Sequence, residues 1–181
     1  MMSQKPNNCT EFNIPLDRDS FMQGMLRDLA GVLQDSIGVQ EARGFVSIVG
    51  ARMGDALNTV YRDAFGQSRL NSDQVIDAML DLKQRIDGDF YIVSQDETEI
   101  VLGNRKCPFG ESVRGRPALC MMTSNVFGRI TAENLGYASV EVEESFAQGH
   151  DRCLVRIGLD PQATTNRKPG GREYFRIDEG L

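Results

Sequence analysis

Apolar positions recur along the first half of the chain with the 3.6-residue period of amphipathic helices. In "DRDSFMQGMLRDLAGVLQDSIG", Met22, Met25, Leu26, Leu29 and Leu33 share one face, with Asp19 or Ser20 as the cap and Gly38 as the stop. A second helix is predicted over about 40–65, with the stripe Val46, Val49, Met53, Leu57, Val60 and Ala64. Gly50 and Gly54 stand four apart on one of its faces, and each costs about 1 kcal/mol against alanine in a helix interior. Either another helix or a ligand approaches closely there, or the packing is loose. "NSDQVIDAMLDLKQRIDG" reads as a third helix, with Asn71 and Gln74 at capping-box spacing and Gly88 at its end.

The period then changes. "DFYIVSQDETEIVLG" reads as a β-hairpin turning at residues 95–97. "ALCMMTSNVFGRITAENLG" returns to helical spacing, with Leu119, Met122, Val126, Phe127 and Ile130 on one face and Gly136 as the stop. "YASVEVEESF" and "DRCLVRIGL" alternate as strands. Ala138, Val140 and Val142 lie on one side of the first, and Cys153 is in phase with Val155, Ile157 and Leu159 in the second. The predicted class is α+β: N-terminal helices on an antiparallel sheet of two hairpins, with a helix between them. The expected organisation is an irregular leader over 1–16, a domain over 17–160 and a polar, basic tail over 161–181 that lies outside the core. Within that tail "EYFRI" is the exception, able to dock as an extra edge strand.

Composition narrows the function classes. The 181 residues suffice for one domain with its own core. A net charge of −6 disfavours a surface-wide attraction to nucleic acid phosphates. No apolar run approaches the roughly 20 residues that span a bilayer, and the first residues have no signal-peptide pattern. The expectation is a cytoplasmic protein with reduced thiols, so that the four cysteines point to metal binding or redox sensing before a disulfide framework.

Three of them attract attention by position. Cys107 follows the first hairpin, Cys120 opens a helix and Cys153 begins the last strand, so three element ends can converge on one site. The intervening "CPFGESVRGRPALC" is flanked and crossed by Arg105, Lys106, Arg114 and Arg116 against a single Glu111. Helix N-termini and nearby cations lower thiol pKa values, and the same charges would offset several thiolates. Spacing gives no Cys-x2-Cys pair. The candidate metal or cofactor ligands are Cys107, Cys120 and Cys153, with His150 or Cys9 as a further ligand. The alternative for all of them is that buried cysteines behave as small hydrophobes and that His150, the lone histidine, is simply solvated in a turn.

The strings "CPFG", "PALCMMT" and "VFGRITAENLGYASVEVEESFAQGHDRC" resemble the methanogen output domain family. More distantly they resemble the vinyl-4-reductase-type, hydrocarbon-binding domains of aromatic-sensing activators, which share a hairpin ending in Gly-x3-Cys, here Gly149 to Cys153. That resemblance covers about residues 20–160. It implies a sensory module rather than an enzyme, dimerised through its N-terminal helices, with a histidine kinase or transcription regulator as its partner and no direct contact with nucleic acid or membrane. The zinc pattern of the aromatic sensors carries over only in part, because Ser145 and Val142 stand where it has cysteine and glutamate. A metal centre held by Cys107, Cys120 and Cys153 is then zinc or an iron–sulfur cluster. Two other classes stay open: a metal-free interaction module with core cysteines, and a thiol or hydrolase-like enzyme using a cysteine with His150.

Overall fold

The computed structural model describes residues 17–165 and 171–177; Cys9 and the 1–16 leader lie outside them. Helix α1 (Arg18–Ile37) is capped by Asp17, whose carboxylate accepts from the Ser20 amide, one turn earlier than the spacing suggested. A single residue, Gly38 at φ 85°, separates it from α2 (Val39–Phe65). Helix α3 (Ser72–Arg85) starts on the expected Asn71/Gln74 capping box. The strands β1 (Phe90–Gln95) and β2 (Glu99–Asn104) form the first hairpin, and α4 (Cys120–Leu135), β3 (Tyr137–Glu144) and β4 (Cys153–Gly158) follow. A short α5 (Pro161–Thr165) precedes β5 (Arg172–Phe175). The fold is α+β, with one antiparallel sheet in the order β1-β2-β4-β3-β5.

The main core lies between the inner face of the sheet and α3 and α4. Ile100 and Leu102 of β2, Ala138 and Val140 of β3, and Val155 and Ile157 of β4 meet Met79 of α3 and Phe127 and Ile130 of α4. Cys153 shares the inward phase of its strand. On the outer face Arg156 bridges Glu99 and Glu143, which joins the three central strands by charge-assisted hydrogen bonds.

One open question is settled and one expectation changes. First, of the two readings of the α2 glycines, close approach holds, and much of the apolar stripes of α1 and α2 stays exposed. The buried face of α2 is small and polar: Ala42, Ser47, Gly50, Gly54 and Asn58 beside Val46. A Cβ at Gly50 would stand 2.9 Å from Asn125 Cβ, and one at Gly54 would stand 2.8 Å from Arg129 Cβ, so both glycines are there because α4 crosses closely. Phe21, Leu29 and Val32 of α1 and Phe45, Ile48, Val49 and Val60 of α2 are left more than half exposed. Second, the stretch expected as a tail contributes to the core. β5 pairs with β3 (Ala138 opposite Tyr174), and Tyr174 is only 7% exposed. Its hydroxyl meets Ser124, and its ring fills the space that a side chain at Gly128 would need. The physical reason is that α4 is covered on both sides, and only a strand carrying one large residue completes its sheet-facing cover.

Candidate functional site

Local geometry brings the three cysteines to one pocket. The chain leaves β2 at Asn104, whose side chain caps the exit by accepting from the Lys106 amide. It then turns through Cys107, which accepts from the Gly110 amide, and two short 3-10 turns lead to α4. Cys120 is the first residue of α4, and Cys153 is the first of β4. Cys107, Cys120 and Cys153 line a pocket closed by apolar side chains that include Phe109, Val113, Leu119 and Phe146. Its free volume is about 30 Å³, room for about two water molecules.

A bulge in β3 completes the wall. Pairing with β4 slips between Val142 and Glu144, so the alternation that puts Ala138, Val140 and Val142 inward is reversed beyond it. Ser145 therefore also points inward and lines the pocket beside Cys120, its hydroxyl donating to Gln148. The bulge explains why the position that the zinc pattern gives to cysteine still belongs to the site in this chain.

The electrostatics differ from the expectation. Burial pushes all three thiols up, Cys120 to about 11, and outweighs the influences that favour the thiolates. Three of the segment's four basic residues turn to local partners instead of the sulfurs. Arg105 stacks 3.9 Å above the Tyr91 ring and reaches Asp89, Lys106 binds Asp87, and Arg114 binds Glu111. The cation that acts on Cys107 and Cys153 is Lys83 of α3, which is 5% exposed. Its ammonium donates to Thr123 Oγ1 at 2.8 Å, behind the pocket wall, and lies 5.3 Å and 5.1 Å from the Phe90 and Phe127 ring centres. Burial lowers its pKa to about 8, against the opposing pull of the three cysteines. Sequence reading passed over Lys83. The signal was its phase, seven residues after Ile76 and four after Met79, on the core face of an otherwise well-patterned helix.

The other candidate ligands separate from this site. His150 is exposed in the β3–β4 turn, where Nδ1 meets the Ser145 backbone at 3.2 Å, and it does not line the pocket. The geometry does not pair it with a pocket thiol. Among the described residues no group of three His, Cys, Asp or Glu side chains is placed to hold a metal ion. Burial holds the three thiols above the ordinary range, so a metal or cluster bound here would have to displace their protons. What the residues do form is a small, largely apolar pocket whose wall carries three thiols.

The segment that closes the cavity also holds α1. Arg27 donates to the Ser112 and Arg114 carbonyls at 2.6 and 2.9 Å, and Gln23 and Gln34 donate to Pro108 and Gly115. The pocket lid and the first helix thus form one hydrogen-bonded unit.

This arrangement of sheet and crossing helices is one shared with solved structures. The structure is similar to the phenol-responsive sensory domain of the transcription activator PoxR, solved with phenol. The TM-score is 0.61 at 12% identity, over 80% of this chain and 75% of that one. It is also similar to trafficking protein particle complex subunit 3 from Naegleria fowleri, covalently bound to palmitic acid. There the TM-score is 0.53 at 14% identity, over 87% of this chain and 99% of that one. None of the curated proteins matches the sequence. The family model of methanogen output domain 1 matches residues 25–158, and the chain belongs to that family. Among the described residues no helix is long and apolar enough to cross a membrane.

Proposed function

We propose that the chain is a cytoplasmic sensory module that receives its signal in the three-thiol pocket and passes it through the 105–119 segment to α1. One observation carries this reading: the residues that wall the pocket and the carbonyls that hold α1 belong to the same short segment. A ligand or a change in thiol chemistry that displaces the segment releases or tightens α1 and alters the apolar α1–α2 face. That face suits a second copy of the chain, giving a homodimer, with a histidine kinase or transcription regulator downstream. The activator origin of one structural neighbour supports the regulatory role. Hydrogen exchange tests the transmission. Cys120→Leu, which crowds the cavity, is expected to speed exchange over residues 20–34 and 108–116 while α3 and the central strands keep theirs. Unchanged exchange in α1 of the folded variant refutes it. For the dimer, sedimentation is expected to show two chains per particle, and Leu29→Glu with Val32→Glu to give monomers; a monomeric wild-type protein at micromolar concentration removes it.

The second reading is a metal centre, zinc or an iron–sulfur cluster, on Cys107, Cys120 and Cys153. It is favoured by the gathering of three of the four cysteines on one cavity. It requires these sulfurs to move closer and to lose their protons. Metal and sulfide analysis of anaerobically purified protein decides it: stoichiometric metal lost in each single Cys→Ser variant supports the centre, and metal-free folded protein removes it.

A further inference from the structure

On the other side of Cys120 lies a second, larger space. An open groove of about 620 Å³ runs between the start of α2, the first turn of α4 and the edge of the sheet at β3 and β5. Cys120, Val142 and Ser145 line both this groove and the thiol pocket, so they form the partition between them. Its volume is in the range of sites for small organic ligands.

Charge sets the groove apart. It is lined by two arginines, Arg43 from α2 and Arg172 from β5, and by no acidic residue among those described, in a chain of net charge −6. Arg172 donates to Ser47 Oγ. Among the described residues the Arg43 side chain makes no ion pair, and its buried Nε–H has no acceptor. A buried guanidinium donor without an acceptor is costly and calls for one. Arg116 carries the other such Nε, but it does not line the groove. The positive charge of Arg43 acts on Cys120, which puts it over the partition. Val140, beside Arg172 in the β3–β5 register, and Val142 and Met121 add apolar surface to the same lining. Gln40 and Gln148 supply neutral polar groups at the groove.

We infer that this groove binds an organic carboxylate with an apolar body, its head on Arg43 and Arg172 and its body against Val140, Val142 and Met121. Guanidinium groups match carboxylates in geometry, and a head bound there lies beside the thiol partition. Such a ligand would reach the sensory pocket through Cys120 without entering it. The inference shares Cys120 with the sensory reading but does not depend on what the cavity holds.

Calorimetric titration of the full chain tests it with four probes: hexanoate, 1-hexanol, acetate and inorganic phosphate. The expected result is that hexanoate binds at least tenfold more tightly than hexanol or acetate. Arg43→Gln, with an unchanged melting temperature, is expected to weaken hexanoate by tenfold or more, Arg43→Lys to restore part of the loss, and Arg114→Gln, on the exposed loop, to change nothing. The inference is overturned if hexanol binds as well as hexanoate, if Arg43→Gln has no effect, or if no probe binds. Phosphate binding that equals or exceeds that of hexanoate makes the site one for a free inorganic anion and overturns the carboxylate assignment. The hydrogen-exchange and metal measurements leave Arg43 untouched, so either proposal can fail alone.

Discussion

Lys83→Met isolates the buried cation behind the thiols. In the folded protein the ammonium releases its proton near pH 8, against 10.5 for an ordinary lysine. The sign follows from which state holds more protons. Between those two values the unfolded chain keeps a proton that the folded chain has lost, so raising the pH favours folding. Below pH 8 both states are charged and the contribution is flat at its least favourable level. Two and a half pH units correspond to roughly 3 kcal/mol. The cysteines run the other way: their raised folded pKa values give stability that is present below the unfolded thiol value and lost as pH rises through the folded ones. Their contribution is common to wild type and variant and cancels to first order in the difference. Lys83 is already neutral where the thiols ionise, so replacing it leaves their contribution nearly unchanged. The assay is urea unfolding in reducing, chelator-treated buffer from pH 7 to 11. Wild-type stability minus that of Lys83→Met is expected to rise by roughly 3 kcal/mol across that range. A difference that stays flat or falls would show that Lys83 is hydrated and that the ammonium is not part of the wall.

Other outcomes follow from packing. Gly50→Val and Gly54→Val force α2 from α4 and are expected to cost about 2–3 kcal/mol each in chemical unfolding, whereas near-neutral values would mean that the crossing is loose. Tyr174→Ala is expected to lose about 3–4 kcal/mol, and truncation after Asp160 to lower the melting temperature sharply; a truncated chain with wild-type melting would make β5 an ornament.

The elements were legible because their periods are local. The α3 capping box, the inward phase of Cys153 and the hairpins follow from neighbouring residues alone. What faces what was less legible. The strongest apolar stripe of α2 turns outward and its small residues turn inward, because a helix crossing close to another needs glycine where amphipathicity rewards leucine. The convergence of Cys107, Cys120 and Cys153 was readable from element ends, but their charge environment was not. Asp87 and Asp89 precede β1 and capture Lys106 and Arg105 across the base of the hairpin, a pairing that exists only once the hairpin forms. Lys83 comes from a helix that ends well before the first cysteine. Ser145 reaches the pocket only because of the β3 bulge, which alternation does not reveal.

The one-residue joint at Gly38 gives α1 a mechanical property. A residue with a side chain is strained at φ 85°, and no second linker residue shares the bending, so rotation of α1 on α2 is concentrated at one pivot. Arg27, where the 105–119 segment grips the helix, lies roughly 16 Å along α1 from that pivot, and the N-terminal end at Arg18 lies roughly 30 Å away. The helix is therefore a lever with about twofold gain. A shift of the lid by about 1 Å tilts α1 by about 3–4° and moves its tip by about 2 Å, a displacement on the scale of the helix shifts that repack subunit interfaces.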